Sequence, residues 1–246
     1  MPDATMPDLG RLLPEIVKLA ERAAAVILDH YRGDAAVRLK ADASPVTAAD
    51  EAAEAVILAG LAELTPTIPV VAEEPVAAGR LPALGDGPFW LVDPLDGTKE
   101  FISKNGEFTV NIALIEGSES VLGVVLAPAL GKAWWGARGH GAMARDGEDK
   151  ALPRRIGVRP RSARPVAVAS RSHADPQTEA FLDEAGVAER ISAGSSLKFC
   201  LVAEGKADLY PRFGRTMEWD TAAGHAVLRF AGGKITDRGG VELTYG

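Results

Sequence analysis

Residues 90–98 read Trp-Leu-Val-Asp-Pro-Leu-Asp-Gly-Thr, so an apolar run leads directly into two aspartates and a glycine. The apolar run predicts a strand, and Pro94, which cannot donate to a β-ladder, predicts that the strand ends there. The glycine tolerates a positive φ and allows a sharp turn. Asp93, Asp96 and the Leu95 carbonyl can therefore converge on one side of that turn. Such all-oxygen ligands suit Mg²⁺, Mn²⁺ or Ca²⁺, whereas an Asx-type turn that caps the strand is the alternative interpretation.

Acidic residues recur at comparable positions elsewhere in the chain. Glu73-Glu74 follows a short apolar run, and Asp220 lies in the segment 218–224, Glu-Trp-Asp-Thr-Ala-Ala-Gly, at a predicted helix start. By themselves, paired glutamates are typical of a solvated loop and Asp220 of a helix N-cap. Together with the two aspartates of residues 90–98, they suit a cage for two or three divalent ions. Two such ions about 3.5–4 Å apart clamp the attacking and leaving oxygens of a phosphoryl displacement.

The remaining sequence predicts an α/β fold in two packed subdomains, 1–155 and 156–246. The first subdomain begins with a helix over 12–31. A second helix opens at Thr47-Ala-Ala-Asp50, a pattern resembling a capping box, and a mostly antiparallel sheet follows. In the second subdomain, strands alternate with helices after an arginine-rich join. We expect strands there at 165–170, 207–213 and 233–237, and helices opening at 175–176 and spanning 195–204 and 219–231.

Composition and charge narrow the functional classes. The chain has 246 residues, one cysteine and 47% hydrophobic residues, and no apolar run approaches the ~20 residues that span a bilayer. The single cysteine excludes an intramolecular disulfide framework. Because the N-terminus also lacks the features of a secretory signal, we expect a cytoplasmic protein.

The net charge of −7 divides unevenly, with −10 in residues 1–150 and +3 in residues 151–246. The overall acidity argues against a nucleic-acid partner. The asymmetry is either ordinary surface variation or functional. In the functional interpretation, the carboxylates of one half bind metal cations and the basic side chains of the other half bind an anionic ligand.

Taken together, residues 93–98 (Asp-Pro-Leu-Asp-Gly-Thr), Glu73-Glu74 and 219–224 resemble the metal-dependent, lithium-sensitive phosphatases of the inositol monophosphatase superfamily. Lys99-Glu100 further resembles the bacterial 3'(2'),5'-bisphosphate nucleotidases, since inositol monophosphatases carry a different continuation after Asp-Gly-Thr. Other segments that resemble this branch are 44–50, 107–114, 170–173, 194–198 and 210–213.

The resemblance implies both a fold and an activity. The fold would be an α-β-α-β-α layered sandwich with an antiparallel-rich N-terminal sheet and a smaller C-terminal α/β sheet. The enzyme would hydrolyse the 3'-phosphate of adenosine 3',5'-bisphosphate (PAP) to give AMP, which links it to PAP recycling in sulfate assimilation. It would use two or three Mg²⁺ ions, with Mn²⁺ as a substitute and Li⁺ as an inhibitor. It would act in the cytoplasm, either at large or peripherally at the inner membrane; the oligomeric state is left open.

The same resemblance assigns roles to individual residues. Glu73, Asp93 and the Leu95 carbonyl would hold one magnesium, and Asp93, Asp96 and Asp220 the second. Glu73 and Thr98 would position the water nucleophile, with Asp50 supporting Thr98 or the metal shell, although a helix cap explains Asp50 equally well. The substrate contacts would be Leu95, Asp96, Gly97, Thr98, His173, Ser195, Lys198, Arg212 and Asp220. Because Lys198, Arg212 and Arg215 lie in the basic half, we hypothesise that this half meets the second phosphate.

Three alternatives remain from sequence. An inositol- or sugar-phosphate phosphatase of the same superfamily would use the same metals. A haloacid dehalogenase-type phosphatase is disfavoured, because its Asp-x-Asp-Gly-Thr motif spaces the aspartates by two residues, whereas Asp93 and Asp96 are three apart. A non-catalytic metal or nucleotide sensor would keep the same ligands without turnover.

Overall fold

A seven-stranded sheet forms the middle layer of the fold, with helices packed on both of its faces. The computed structural model describes residues 6–33, 37–39, 45–147, 152–160, 162–170 and 176–246. Its helices are α1 (Leu9–Arg32), α2 (Ala48–Leu64), α3 (Glu73–Ala77), α4 (Thr98–Ile102), α5 (Pro176–Glu184), α6 (Leu197–Ala203) and α7 (Glu218–Phe230). Its strands are β1 (Val37–Leu39), β2 (Pro45–Thr47), β3 (Val70–Ala72), β4 (Phe89–Asp96), β5 (Thr109–Glu116), β6 (Glu119–Ala127), β7 (Lys132–Ala137), β8 (Gly141–Asp146), β9 (Arg154–Ile156), β10 (Val166–Ser170) and β11 (Glu189–Ala193).

The large sheet is mostly antiparallel, as the sequence predicts. Its strand order is β3-β4-β5-β6-β7-β8-β9, and within this sheet, as far as the structure describes it, only the β3–β4 pair is parallel. β10 and β11 form a separate parallel pair, which is the smaller C-terminal sheet. The α/β fold class is therefore confirmed, while the subdomain boundary after residue 155 stays a prediction.

The two faces of the large sheet bury different cores. Trp90 and Val92 of β4 point into a cluster with α1 and α2, whereas Leu91 points into a cluster with α6 and α7. This alternation follows from the two-residue period of a strand. A strand buried on both faces reads as a continuous apolar run, which explains the composition of residues 89–92.

The first two helices match their predictions closely. α1 covers the predicted 12–31 and ends against Gly33. α2 opens with a capping box, in which the Asp50 carboxylate accepts hydrogen bonds from the Thr47 N–H (2.9 Å) and hydroxyl (2.6 Å). In the described residues, no helix has both the length and the apolar character needed to cross a membrane.

Several strand predictions were wrong. β4 does not end at Pro94 but continues to Asp96, because a bulge between Asp93 and Asp96 removes the need for a proline N–H in the ladder. The segments 207–213 and 233–237 form only the isolated bridges Ala167–Leu209 and Thr236–Glu242. In the first segment the Asp208 side chain competes for the Val166 N–H.

No strand was predicted for β8 or β9. β9 lies in the arginine-rich stretch that was interpreted as the connection between the two subdomains. The predicted helices at 195–204 and 219–231 are α6 and α7 with slightly shifted ends, and α5 begins at the predicted Pro176. Asp175, the other residue at which this helix was predicted to open, as its N-cap, lies outside the described residues.

Candidate active site

The bulge in β4 leads into an acidic turn at the C-terminal end of this strand. Asp93 is 2% exposed, and its Oδ1 accepts the Leu95 N–H at 3.0 Å. Asp96 Oδ2 accepts hydrogen bonds from Asn111 Nδ2 (3.3 Å) and from the Ser196 hydroxyl (3.0 Å). Gly97 follows with φ +92° and leads into α4. The glycine of residues 90–98 therefore makes the turn that the sequence predicts.

The turn also depends on Gly97 for space. A Cβ at this position would lie 2.0 Å from Ser195 Oγ. That hydroxyl is 2.8 Å from the Asp96 carbonyl and 2.7 Å from the Glu107 carbonyl, and the Glu107 carboxylate accepts the Gly194 N–H at 2.8 Å. Ser195 itself has a positive φ of 47°. The loop before α6 is thus fastened to the acidic turn.

Two further acidic residues approach the turn from other elements. Ala72 of β3 pairs with Val92 of β4 in parallel register, so Glu73 and Asp93 leave neighbouring strands at the same level. Asp220 lies in the first turn of α7, where its Oδ2 accepts the Met217 N–H and the Thr216 hydroxyl, both at 3.0 Å. It is the third helical residue rather than the N-cap itself.

The acidic residues act on one another electrostatically. Burial, followed by the neighbouring charges of Glu73, Asp96, Asp220 and Asp50, raises the pKa of Asp93 well above its usual value. Burial and Asp220 raise the pKa of Asp96 to about 6, against the opposing effect of Lys198. The site therefore concentrates negative charge that the described protein groups only partly balance.

A basic wall faces the acidic turn. Lys198 is 3% exposed, its Nζ donates to the Ser195 carbonyl at 2.5 Å and lies 5.3 Å from the centre of the Tyr210 ring. Burial lowers the pKa of Lys198 to about 8. Arg212 is held nearby by a hydrogen bond from Nη2 to the Arg215 carbonyl (2.8 Å). Both basic side chains line the same cavity of about 260 Å³ as Glu73, Asp96, Thr98 and Asp220.

Comparison with known proteins identifies the family of the chain. Residues 8–246 match the sequence model of the inositol monophosphatase family. The chain belongs to that family. The resemblance inferred from residues 93–98, Glu73-Glu74 and 219–224 is therefore confirmed.

Among the curated relatives of this family member, the 3'(2'),5'-bisphosphate nucleotidase CysQ of Salmonella typhimurium is 49% identical over 241 residues, covering 95% of this chain and 94% of the relative. Its Escherichia coli counterpart is 48% identical with the same coverage. Among solved structures, CysQ from Bacteroides thetaiotaomicron is 39% identical with a TM-score of 0.74, covering 90% of this chain and 87% of that one. An IMPase from Thermotoga maritima is 28% identical with a TM-score of 0.77, covering 94% and 87%.

Metal dependence, typically on Mg²⁺, is characteristic of the inositol monophosphatase family. The donors at this site are carboxylate oxygens and a carbonyl, which hard divalent cations prefer. In Asp93, Asp96 and Asp220, hydrogen bonds from the described residues reach only one oxygen of each carboxylate. No three His, Cys, Asp or Glu side chains in the described ranges already stand at metal-site spacing. The charge and donor chemistry fit a divalent cation, although the described residues do not by themselves form a ligand geometry.

Most of the predicted site residues converge. The cavity is lined by eight of them, namely Glu73, Asp96, Gly97, Thr98, Ser195, Lys198, Arg212 and Asp220. Asp93 and Leu95 are buried in the adjoining turn, and the Asp50 carboxylate accepts the Thr98 hydroxyl at 3.4 Å. His173 lies outside the described residues, so its role stays a prediction.

Sequence reasoning assigned no role to Asn111 and Ser196. Asn111 Nδ2 donates to the Ser196 hydroxyl at 2.9 Å, and Ser196 Oγ is also 3.0 Å from the Asp220 carbonyl. The pair therefore connects Asp96 to the start of α7. The available signal was one amide side chain within the apolar run of β5, where a buried polar group needs a partner.

Proposed function

We propose that this chain is a Mg²⁺-dependent phosphatase that hydrolyses the 3'-phosphate of PAP to give AMP and inorganic phosphate. The main observation in support is that carboxylates line one side of the cavity and Lys198 and Arg212 line the other. A bisphosphate nucleotide needs both sides, because each of its two phosphates requires a positive partner. Mg²⁺ held by the carboxylates would serve the phosphate that reacts, and Lys198 and Arg212 would serve the other. The names of the CysQ relatives at 48–49% identity agree with this substrate.

Glu73, Asp93, Asp96 and Asp220, with the Leu95 carbonyl, would hold two Mg²⁺ ions. Bound there, the ions would supply Lewis acidity to the phosphoryl oxygens and neutralise their charge. We expect Mn²⁺ to substitute and Li⁺ to inhibit. PAP recycling in the cytoplasm, at large or at the inner membrane surface, is the role that we infer.

Thr98 and Glu73 would orient the attacking water. Thr98 donates its only hydroxyl proton to Asp50, so its oxygen is left to accept a hydrogen bond. Asp50 is itself held by the Thr47 N–H and hydroxyl. A water that donates one proton to Thr98 and the other to Glu73 would turn a lone pair towards phosphorus. Asp50 thereby fixes the hydrogen-bonding direction of Thr98.

Lys198 and Arg212 would bind the phosphate that is not hydrolysed. With a pKa of about 8, Lys198 is mostly protonated at neutral pH even though its side chain is buried. The ammonium is held by the Ser195 carbonyl and the Tyr210 ring face, so little side-chain freedom is lost when an anion arrives. This arrangement favours a bisphosphate over a monophosphate.

A substrate panel tests the proposal. Phosphate release would be measured with PAP, its 2',5' isomer, the sulfonated precursor PAPS, inositol 1-phosphate and fructose 1,6-bisphosphate, each with Mg²⁺ and with EDTA. We expect the highest kcat/KM for PAP and no release in EDTA. Faster release from inositol 1-phosphate or fructose 1,6-bisphosphate would instead identify an inositol- or sugar-phosphate phosphatase, and binding of PAP without release would identify a sensor.

A further inference from the structure

Glu54 is a buried carboxylate to which neither the family resemblance nor the proposed mechanism gives a role. It lies on α2 and is 8% exposed. A buried carboxylate is costly unless it is hydrogen-bonded, and Glu54 stands one helical turn after Asp50, so two like charges share one helix face. Such a position calls for a compensating interaction.

That interaction joins α2 to the start of α3. Glu54 Oε1 accepts the N–H of Glu74 at 3.2 Å. The first N–H groups of a helix have no partner within the helix, and the N-cap of α3, Ala72, offers no side-chain cap. Glu54 therefore supplies from a neighbouring helix the acceptor that the local sequence lacks.

The capped peptide is the one that follows Glu73. Fixing the Glu74 N–H restricts the rotation of the Glu73–Glu74 peptide and hence the direction in which the Glu73 side chain leaves the backbone. On the same helix face, Asp50 accepts the Thr98 hydroxyl. α2 thus holds both partners of the proposed water, Thr98 through Asp50 and Glu73 through Glu54.

We propose that Glu54 is a positioning residue, which caps α3 from α2 and thereby fixes Glu73 for Mg²⁺ and water. The inference rests on the role of Glu73 in the proposed function. Glu54 acts through the backbone hydrogen bond, and neither its negative charge nor direct ligation is required. A side chain that keeps the acceptor oxygen should therefore replace it.

The test uses Glu54→Gln, which keeps an acceptor, Glu54→Ala, which removes it, and Glu54→Met, which removes it while keeping the packing volume. Glu63→Ala, at an exposed position of α2, is the control for losing one negative charge from the same helix. Mg²⁺ binding is measured by isothermal titration calorimetry without substrate, and kcat and KM for PAP are measured separately.

We expect Glu54→Ala and Glu54→Met to weaken Mg²⁺ binding about five- to tenfold and to lower kcat by a similar factor, as loss of one cap implies, with KM for PAP within twofold. Glu54→Gln and Glu63→Ala should stay within twofold of wild type in every measurement. Mg²⁺ binding by Glu54→Met equal to that of wild type would overturn the proposal, as would a loss in Glu54→Gln as large as in Glu54→Ala. If wild type binds Mg²⁺ but does not hydrolyse PAP, the proposed substrate fails, while calorimetry still tests Glu54.

Discussion

Replacing Gly97 with alanine should damage the acidic turn in two separable ways. First, the φ of +92° is unfavourable for any residue with a Cβ, at a cost of about 1–2 kcal/mol. Second, the new Cβ would lie 2.0 Å from Ser195 Oγ, so Ser195 must move away from the Asp96 and Glu107 carbonyls. Its one hydroxyl proton serves one carbonyl at a time, and losing that hydrogen bond costs about 1 kcal/mol.

The two effects together predict a loss of about 2–3 kcal/mol in the free energy of unfolding. For a chain of this length, this corresponds to a fall in Tm of about 4–12 °C, with the protein still folded at 25 °C. Because the turn carries Asp96 and Thr98, phosphate release should fall by at least about a hundredfold, since small displacements of reacting groups have effects of that size. Thermal denaturation followed by circular dichroism, together with phosphate-release kinetics, measures both quantities.

Gly117→Ala is the matched control. Gly117 has a positive φ of 60°, and a Cβ there would meet nothing within 4 Å, so the variant incurs only the backbone cost. The contact with Ser195 is isolated by a double-mutant cycle with Ser195→Ala, which removes Oγ. We expect the double variant to be more stable than the sum of the single changes predicts. Equal stability of Gly97→Ala and Gly117→Ala, or strict additivity in the cycle, would refute the reasoning.

Three further changes test the charges. Lys198→Ala should raise KM for PAP about 10- to 100-fold, the range of one charged hydrogen bond, but change KM for adenosine 3'-monophosphate much less; equal losses in steady-state kinetics would contradict its role. Asp93→Asn should abolish both phosphate release and the rise of Tm on adding Mg²⁺. In EDTA it should raise Tm, because one of several like charges buried together is removed. Unchanged turnover would refute the metal assignment. The hydrogen bond from Arg159 lowers the pKa of Asp208 to about 2, from an unfolded value near 3.8. The ionised Asp208 should therefore stabilise the fold above about pH 4, and this stabilisation should be lost as the pH falls towards 2. Asp208→Asn should therefore lower Tm at pH 7 and flatten its decline between pH 4 and 2, and acid titrations with parallel slopes would exclude this.

Features that depend on neighbouring residues could be predicted from the sequence. The Thr47–Asp50 capping box, the positive φ of Gly97 and the helical period of residues 12–31 all follow from interactions within a few positions. The positions of Glu73 after an apolar run and of Asp220 at a helix start suggested that they join Asp93, and the family motifs then assigned them roles as ligands. The parallel pairing of β3 with β4 brings Glu73 to the end of β4, whereas Asp220 arrives on α7, whose start is linked to Asp96 through Ser196.

Features that depend on distant pairing could not be predicted. The bulge that lets β4 pass through Pro94 is defined by its partner β5, and the Asp208 interactions that replace a strand at 207–213 reach back to Arg159 and Val166. The backbone cap from Glu54 joins residues 20 positions apart, and the Ser195 contacts join residues about 90–100 apart. The side chains of Glu54, Asp208 and Ser195 can all form hydrogen bonds, but the sequence does not say which distant partners they meet.

Asp96 is the point at which the two charged halves of the molecule meet. Burial and the charge of Asp220 raise the pKa of Asp96, Lys198 lowers it, and Ser196 and Asn111 donate hydrogen bonds to its carboxylate. An all-acidic cavity would attract cations but repel a phosphate ester, and an all-basic one would bind the ester without retaining the cations that activate it. Asp96 lies between the acidic and the basic side chains of the cavity. Cations bound there would neutralise the carboxylates, and a bisphosphate would neutralise Lys198 and Arg212. Glu73, Asp93 and Asp96 come from the −10 half of the sequence and Lys198 and Arg212 from the +3 half, which also contributes Asp220.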